Sequence, residues 1–266
     1  YHITYVIGVP TVLDALADEQ EKHPRKLTSI RGCIAMGSPL EREACMRYKT
    51  VLTPNIFNGY GTTETFWNTM LRPGDVLSHA GSAGRSCVDD DVRVVKIYED
   101  RKGEPDELVA QDGSEVGEVI MCSPAKSPYQ YHNNDAASAD KYYKGFVYTN
   151  DLATWDKDQF VTILGRMDDM IISSGENIYP AEVEAVLDAH PAVKESIVTS
   201  VPDKVRGQIV TAYVVTDNPD LTPEDLDEFC KESPEIANFK RPRYYRFVDS
   251  VPHNATGKRM HRQMKE

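Results

Sequence analysis

Seven residues, Asn58-Gly-Tyr-Gly-Thr-Thr-Glu64, gather two glycines, two threonines, an aromatic ring and a carboxylate. Each type has a use at a nucleotide. Gly61 lets backbone approach a ligand closely, and the Thr62 and Thr63 hydroxyls can donate to phosphate oxygens. Tyr60 offers a ring face to a purine, and Glu64 offers hard oxygen ligands to Mg2+. A Gly/Thr turn is also a common way to end a strand, so the loop alone decides nothing. A second set lies at Thr149-Asn-Asp151 and Gly165-Arg-Met-Asp168. Asp151 can accept both hydroxyls of a ribose, and Arg166 can bind sugar or phosphate, although a lone Asp or Arg is equally a surface charge. A third is Asn254-Ala-Thr-Gly-Lys258, where Lys258 on a terminal turn can reach into a cleft as a point charge.

These residues need elements to hold them. Ile3–Val9 is β-branched and apolar, Pro10–Lys22 has helical apolar spacing, and Ser29–Gly37 reads as a second strand. Pro39–Lys49 reads as a helix and Val51–Tyr60 as an extended segment ending in the Gly/Thr loop. Strands joined by helical crossovers imply a parallel sheet with ligands at the C-terminal strand ends, which sets Met36-Gly37-Ser38-Pro39 beside Asn58–Glu64. From 81 to 165 short runs (Val92–Tyr98, Gly117–Cys122, Gly145–Tyr148, Phe160–Leu164) separated by turn residues predict antiparallel, barrel-like strands and little helix. After Arg166 the pattern restarts as a small α+β unit with helices at Pro180–Ala189 and Pro223–Lys231. The expected organisation is therefore a first domain over 1–167, α/β to residue 80 and β-rich to 165, and a second over 168–266.

Composition narrows the function classes. The chain has 266 residues with 30 Lys+Arg against 42 Asp+Glu, a net charge of −12, and 40% hydrophobic residues. An acidic chain argues against nucleic-acid binding, which needs clustered Lys/Arg. The charge is uneven: Phe239–Glu266 carries +6 and the remainder −18. A basic tail on an acidic body suits a polyanion ligand, and a solvated face would read the same way. The five scattered cysteines include no Cys-x-x-Cys pair, which fits a reducing compartment and structural thiols. No apolar run approaches the roughly 20 residues that cross a bilayer, and the start resembles no signal peptide. The expectation is a soluble, cytoplasmic protein without membrane or nucleic-acid partners. The opening Tyr1 suggests a trimmed chain.

Together the motifs resemble the adenylate-forming superfamily of acyl-CoA synthetases, peptide-synthetase adenylation domains and luciferase-like enzymes. Tyr60-Gly-Thr-Thr-Glu64, Thr149-Asn-Asp151, Gly165-Arg-Met-Asp168 and Asn254-Ala-Thr-Gly-Lys258 match its motifs in order. Asp168–Asn177 and Phe239-Lys-Arg-Pro-Arg243 look most like the 4-chlorobenzoate branch. The resemblance implies the end of a parallel-sheet adenylation domain with its barrel subdomain, followed by a mobile α+β domain. It also implies an AMP-forming acid–thiol ligase acting on a small carboxylic acid, ATP and coenzyme A, with Mg2+ as cofactor.

By that resemblance Lys258, Glu64 and Thr63 are catalytic, with Glu64 on Mg2+. Gly37, Ser38, Pro39, Asn58, Gly59, Tyr60, Gly61, Thr62, Thr63, Asp151, Arg166 and Lys258 bind nucleotide. Asp168 is the hinge. Ser174, Gly175, Phe239, Arg241 and Arg243 face CoA, and Thr65, Phe66, Trp67 and Asn68 form one wall of the acyl pocket, where two aromatics favour a compact or planar acid. Phe66 and Trp67 read equally as ordinary core. Two positions depart from the pattern: Asn150 and Ser174 stand where relatives carry glycine. The family's phosphate-cradling Ser/Thr/Gly loop is absent from this sequence, so the chain alone is expected to be inactive. Left open are an amino-acid-activating domain serving a carrier protein, a non-catalytic nucleotide-binding module, and a homodimer.

Overall fold

The computed structural model describes residues 2–38, 40–124, 130–254 and 257–264, and the chain divides into two compact units between Ile163 and Leu164.

The first unit opens with β1 (Tyr5–Gly8), α1 (Pro10–Lys22), β2 (Gly32–Met36), α2 (Arg42–Val51) and β3 (Ile56–Tyr60), then β4 (Thr69–Leu71), α3 (Val76–His79) and β5 (Arg85–Ser86). The sheet order is β1-β2-β3-β4-β5, with β1, β2 and β3 parallel and β4 and β5 antiparallel. The helical crossovers fix this arrangement, because a strand followed by a helix returns to the same sheet edge in parallel. Pro10 at the first turn starts α1, and Leu13 and Ala17 on its inner face pack with Cys33, Ala35, Tyr48 and Ile56.

A second sheet follows: β6 (Asp91–Val95), β7 (Gly117–Cys122), α4 (Asp135–Lys141), β8 (Tyr142–Tyr143), β9 (Phe146–Trp155) and β10 (Val161–Arg166), in the order β10-β9-β7-β6 with β8 on β9. Pairing of β6 with β7 and β7 with β9 is antiparallel, as the closely spaced turn residues imply. Inward Val92, Val94, Val119, Met121 and Trp155 form its core. β10 runs across the division between the units.

The second unit holds β11 (Ile171–Ser173), β12 (Glu176–Ile178), α5 (Pro180–Asp188), β13 (Glu195–Asp203), β14 (Gly207–Val215), α6 (Pro223–Glu232) and β15 (Tyr244–Phe247), in the order β12-β11-β14-β13 with β15 parallel to β14. Val183 and Leu187 of α5 and Leu226 of α6 cover Ile171, Val198 and Ala212 of the sheet. α6 begins with reciprocal capping, Thr222 accepting from Asp225 N and Asp225 accepting from Thr222 N. All five cysteines are free thiols, and no helix among the described residues is long and apolar enough to cross a membrane.

Candidate functional site

In the first unit the parallel register sets Met36 opposite Gly59, so the loops after β2 and β3 leave adjacent strand ends. Gly37 takes φ +84, and the buried Ser38 Oγ has no hydrogen-bond partner among the described residues. Pro39 lies outside the described residues. Asn58 is buried and its Nδ2 donates to the Ser82 carbonyl at 2.9 Å, which ties β3 to the segment entering β5. Beyond β3 the loop doubles back: Phe66 N donates to Thr62 O at 2.8 Å and Asn68 N to Tyr60 O at 3.0 Å. A Cβ on Gly61 would lie 1.6 Å from the Phe66 carbonyl oxygen, so only glycine fits there.

Two motifs 91 residues apart meet through this loop. The Tyr60 hydroxyl donates to Asp151 Oδ2 at 2.7 Å. Asp151 N donates to Thr149 Oγ1 at 3.0 Å, and Thr149 Oγ1 donates to Val119 O at 2.7 Å. Asn150 adopts φ +63, the left-handed region that glycine enters freely and asparagine more readily than most other residues. Its departure from glycine therefore preserves the backbone. Asn150 N donates to Glu118 Oε1 at 2.9 Å, and burial raises the Glu118 carboxyl above its ordinary range.

Glu64 accepts a hydrogen bond from the Tyr131 hydroxyl. Burial pushes the Glu64 carboxyl up, but hydrogen bonds from Tyr131 and Thr62 and the nearby Lys141 charge prevail, leaving it below the usual glutamate range. Burial and the same hydrogen bond raise the Tyr131 phenol. A cavity of about 230 Å³ opens here, lined by Thr63, Glu64, Gln130, Tyr131 and Tyr142. Thr63 is exposed, while Thr62 Oγ1 lies 3.1 Å from Thr65 Oγ1. Thr65 and Asn68 are buried, with Thr65 Oγ1 on Met121 Sδ and Asn68 Nδ2 on Asp90 Oδ2. Phe66 is 68% exposed, has φ +61 and stacks on Trp67 with ring centroids 5.5 Å apart.

In the second unit Asp168 sits in a single 3-10 turn, Met167–Asp169, where its Oδ2 accepts from Arg262 Nη2 at 2.6 Å and lies 3.9 Å from Arg166 Nη2. Ser174 and Gly175 form the two-residue turn between β11 and β12 with φ +55 and +84, the positive pair that a tight hairpin turn demands. Phe239 is exposed. The two arginines beyond it differ. Arg241 Nε is held by Asp227 Oδ1, and its Nη1 lies 3.3 Å from Asn238 Oδ1. Arg243 has no ion pair among the described residues, and burial with the charges of Arg241 and Arg206 lowers its guanidinium below the ordinary value.

Lys258 closes a terminal hairpin: His253 and Arg259 pair across it, and Lys258 N donates to Asn254 Oδ1 at 2.9 Å. Its exposed ammonium makes no hydrogen bond or ion pair with described residues. Ala255 and Thr256 lie outside the described residues.

A family profile described as AMP-binding enzyme matches residues 1–126, and one described as AMP-binding enzyme C-terminal domain matches residues 182–258. The chain belongs to the adenylate-forming, AMP-binding enzyme family. The 2-succinylbenzoate–CoA ligase of Bacillus licheniformis is 35% identical over 98% of this chain and 51% of its own length. The 4-chlorobenzoate–CoA ligase of an Arthrobacter species is 35% identical over 99% of this chain and 48% of its own. The structure of o-succinylbenzoate CoA synthetase from Bacillus subtilis with its acyl-adenylate intermediate superposes with a TM-score of 0.85 at 32% identity, covering 100% of this chain and 51% of that one. The same enzyme with ATP and magnesium ion gives 0.83, covering 98% and 51%. The chain spans about half the length of the curated relatives it matches.

Four residues around the family's motifs escape a reading by residue type. Tyr131, on Glu64, sits in a polar run ending at Asn134, whose side chain caps α4. Glu118 lies on the Ile120 side of β7, half-buried, and nothing in its residue type marks it as the acceptor for Asn150 N. Glu184 and Arg259, which meet next to Lys258, are 75 residues apart.

Proposed function

We propose that this chain is the C-terminal half of an AMP-forming acid–thiol ligase, which converts a carboxylic acid and ATP to an acyl-adenylate and then to a CoA thioester. The observation that carries this reading is the Tyr60–Asp151 hydrogen bond, which joins a phosphate-type loop to a ribose-type carboxylate in one site. In this reading Asp151 accepts the ribose hydroxyls, supported by the hydrogen bond that orients it. The Thr62 and Thr63 hydroxyls and the unpartnered Ser38 Oγ are donors for phosphate oxygens.

The donor set suits Mg2+. Glu64 is kept anionic by its partners, and an octahedral ion that retains waters and phosphate oxygens needs only one or two protein carboxylates. When bound there, the ion would neutralise phosphate charge. Attack of the acid's carboxylate on the α-phosphorus brings two anions together, and Lys258, free of competing carboxylates among the described residues, supplies the compensating cation. Departure of that lysine, by rotation of the second domain about Asp168, would then admit the thiol. The acid is compact or planar, supported by the exposed Phe66 stacked on Trp67. CoA is held by Phe239 and Arg243 rather than Arg241, which Asp227 already neutralises.

The test uses the full-length ligase, meaning this chain joined to the N-terminal half that its relatives carry. Lys258→Ala should lower acid-dependent pyrophosphate release by about two to three orders of magnitude. Thioester formation from supplied acyl-adenylate should stay within about twofold. Equal loss in both half-reactions would contradict the assignment, and thioester formed only on a carrier-protein thiol would favour the amino-acid-activating alternative.

A further inference from the structure

The turn bearing Lys258 is gripped from below by an ion cluster. Arg259, the next residue, sends Nη2 to Asp188 Oδ2 at 2.6 Å, Nη1 to Glu184 Oε2 at 3.3 Å and Nε to Glu195 Oε1 at 3.3 Å. His253, across the hairpin, places Nε2 2.6 Å from Glu195 Oε1, and His261 places Nε2 2.6 Å from Glu184 Oε1. Glu184 and Asp188 are one helical turn apart on α5, and Glu195 begins β13. Backbone and side chain brace the acids in turn: Val198 N donates to Glu184 Oε1 at 2.7 Å and Ser196 Oγ to Asp188 Oδ1 at 2.8 Å.

This is a costly arrangement. Glu184 is 4% exposed, and a charge so buried is tolerated only when paired and hydrogen-bonded. Burial raises Glu184, but His261 and Arg259 outweigh it and keep the carboxyl below its ordinary range; burial leaves Asp188 raised despite Arg259. Three carboxylates converge on one guanidinium whose three nitrogens point in fixed directions, so Arg259 has one orientation, and Lys258 is covalently next to it. A bare apolar contact would hold the same chain without fixing its rotation.

We propose that Arg259 is a positioning residue for Lys258: the Glu184–Asp188–Glu195 cluster locks the terminal hairpin so that the ammonium is presented in one direction. Arg259 touches no substrate in this scheme and acts only through the turn. The proposal rests on the functional reading above, in which Lys258 serves adenylation.

The experiment is a double-mutant cycle in the full-length ligase, with both half-reactions and thermal unfolding followed. Arg259→Met should lower acid-dependent pyrophosphate release by about tenfold to a hundredfold, the scale of a misplacement near 1 Å. Thioester formation from supplied acyl-adenylate should remain within about twofold, and Arg259→Lys should recover part of the loss. In a Lys258→Ala background, Arg259→Met should cost adenylation nothing further, because the group it orients is gone. If Arg259→Met leaves the buried Asp188 without a cation and unfolds the domain, Glu195→Gln, which removes the charge from the half-buried limb only, replaces it and should show the same split at smaller size. Losses that multiply with Lys258→Ala, or that fall equally on both half-reactions in a folded variant, overturn the proposal. Failure of Lys258→Ala itself to affect adenylation instead overturns the functional reading, so the two are told apart.

Discussion

Tyr60→Phe removes one oxygen and keeps the ring, which packs at the margin of the second-sheet core. What is lost is the 2.7 Å hydrogen bond to Asp151 Oδ2. Hydrogen bonds to charged groups contribute ~1.5–3 kcal/mol, and because both side chains are only half-buried the lower figure applies. About 1.5 kcal/mol corresponds to roughly a tenfold change in an equilibrium constant. If Tyr60 orients Asp151 toward the ribose, calorimetric titration of the full-length ligase with AMP should give a Kd about tenfold weaker in Tyr60→Phe. The unfolding temperature should hardly move. Asp151→Asn should weaken binding by at least as much, and adding Tyr60→Phe to it should contribute little, since the two act as a unit. An AMP affinity within twofold of the parent's, with the ring demonstrably in place, would refute the claim that this bond organises the site.

Gly61→Ala should lower stability by about 1–3 kcal/mol, because its Cβ would collide with the Phe66 carbonyl oxygen; an unchanged thermal midpoint would show that the loop relaxes freely. Arg243→Ala should raise the KM for CoA by about tenfold, the loss of one or two charge-assisted hydrogen bonds, and Arg241→Ala by clearly less because Asp227 already holds that guanidinium; the reverse order would place the CoA phosphates elsewhere. The Glu107 carboxyl, hydrogen-bonded first to Arg101 and then to Glu104 N, is held at about 2. Since its folded value is depressed, the stability it contributes is complete above its ordinary value and is lost as pH falls toward 2. NMR titration of that carboxyl checks it, and Glu107→Gln should flatten the acid limb of the unfolding curve.

Much of the fold is legible because its signals are local. The run Pro10–Lys22 carries proline at its start and apolar residues at helical spacing, and α1 spans those residues. Gly117–Cys122 likewise became β7 with its expected bounds. The short strands β4, β5, β8 and β12 are two or three residues long, too few to show a period, and they form because neighbouring strands offer unpaired backbone. Val51 lies in a helix rather than an extended segment, since α2 continues to it and the strand begins only at Ile56; residue type alone does not mark where α2 stops. In the candidate site, residue type and motif alone single out Tyr60, Glu64 and Asp151. Their governing contacts did not: Tyr131 reaches Glu64 across 67 residues, and Asp227 takes up Arg241 across 14. A sequence shows which groups carry charge, whereas partners separated along the chain decide whether that charge is available.

The free edge of β1 bears on how the chain behaves in solution. Ile3, Tyr5 and Ile7 are each at least half exposed, and Val12 and Leu16 add apolar surface on the following helix. Among the described residues β1 ends its sheet and pairs with β2 alone, so in these 266 residues it presents unpaired amides and carbonyls beside oily side chains, and Tyr5–Gly8 carries no proline or charge to blunt them. Such an edge is a template for recruiting further strands. Samples of these 266 residues alone are therefore expected to associate with rising concentration, and a lysine at Tyr5 or Ile7 is the gatekeeper change that would keep them dispersed.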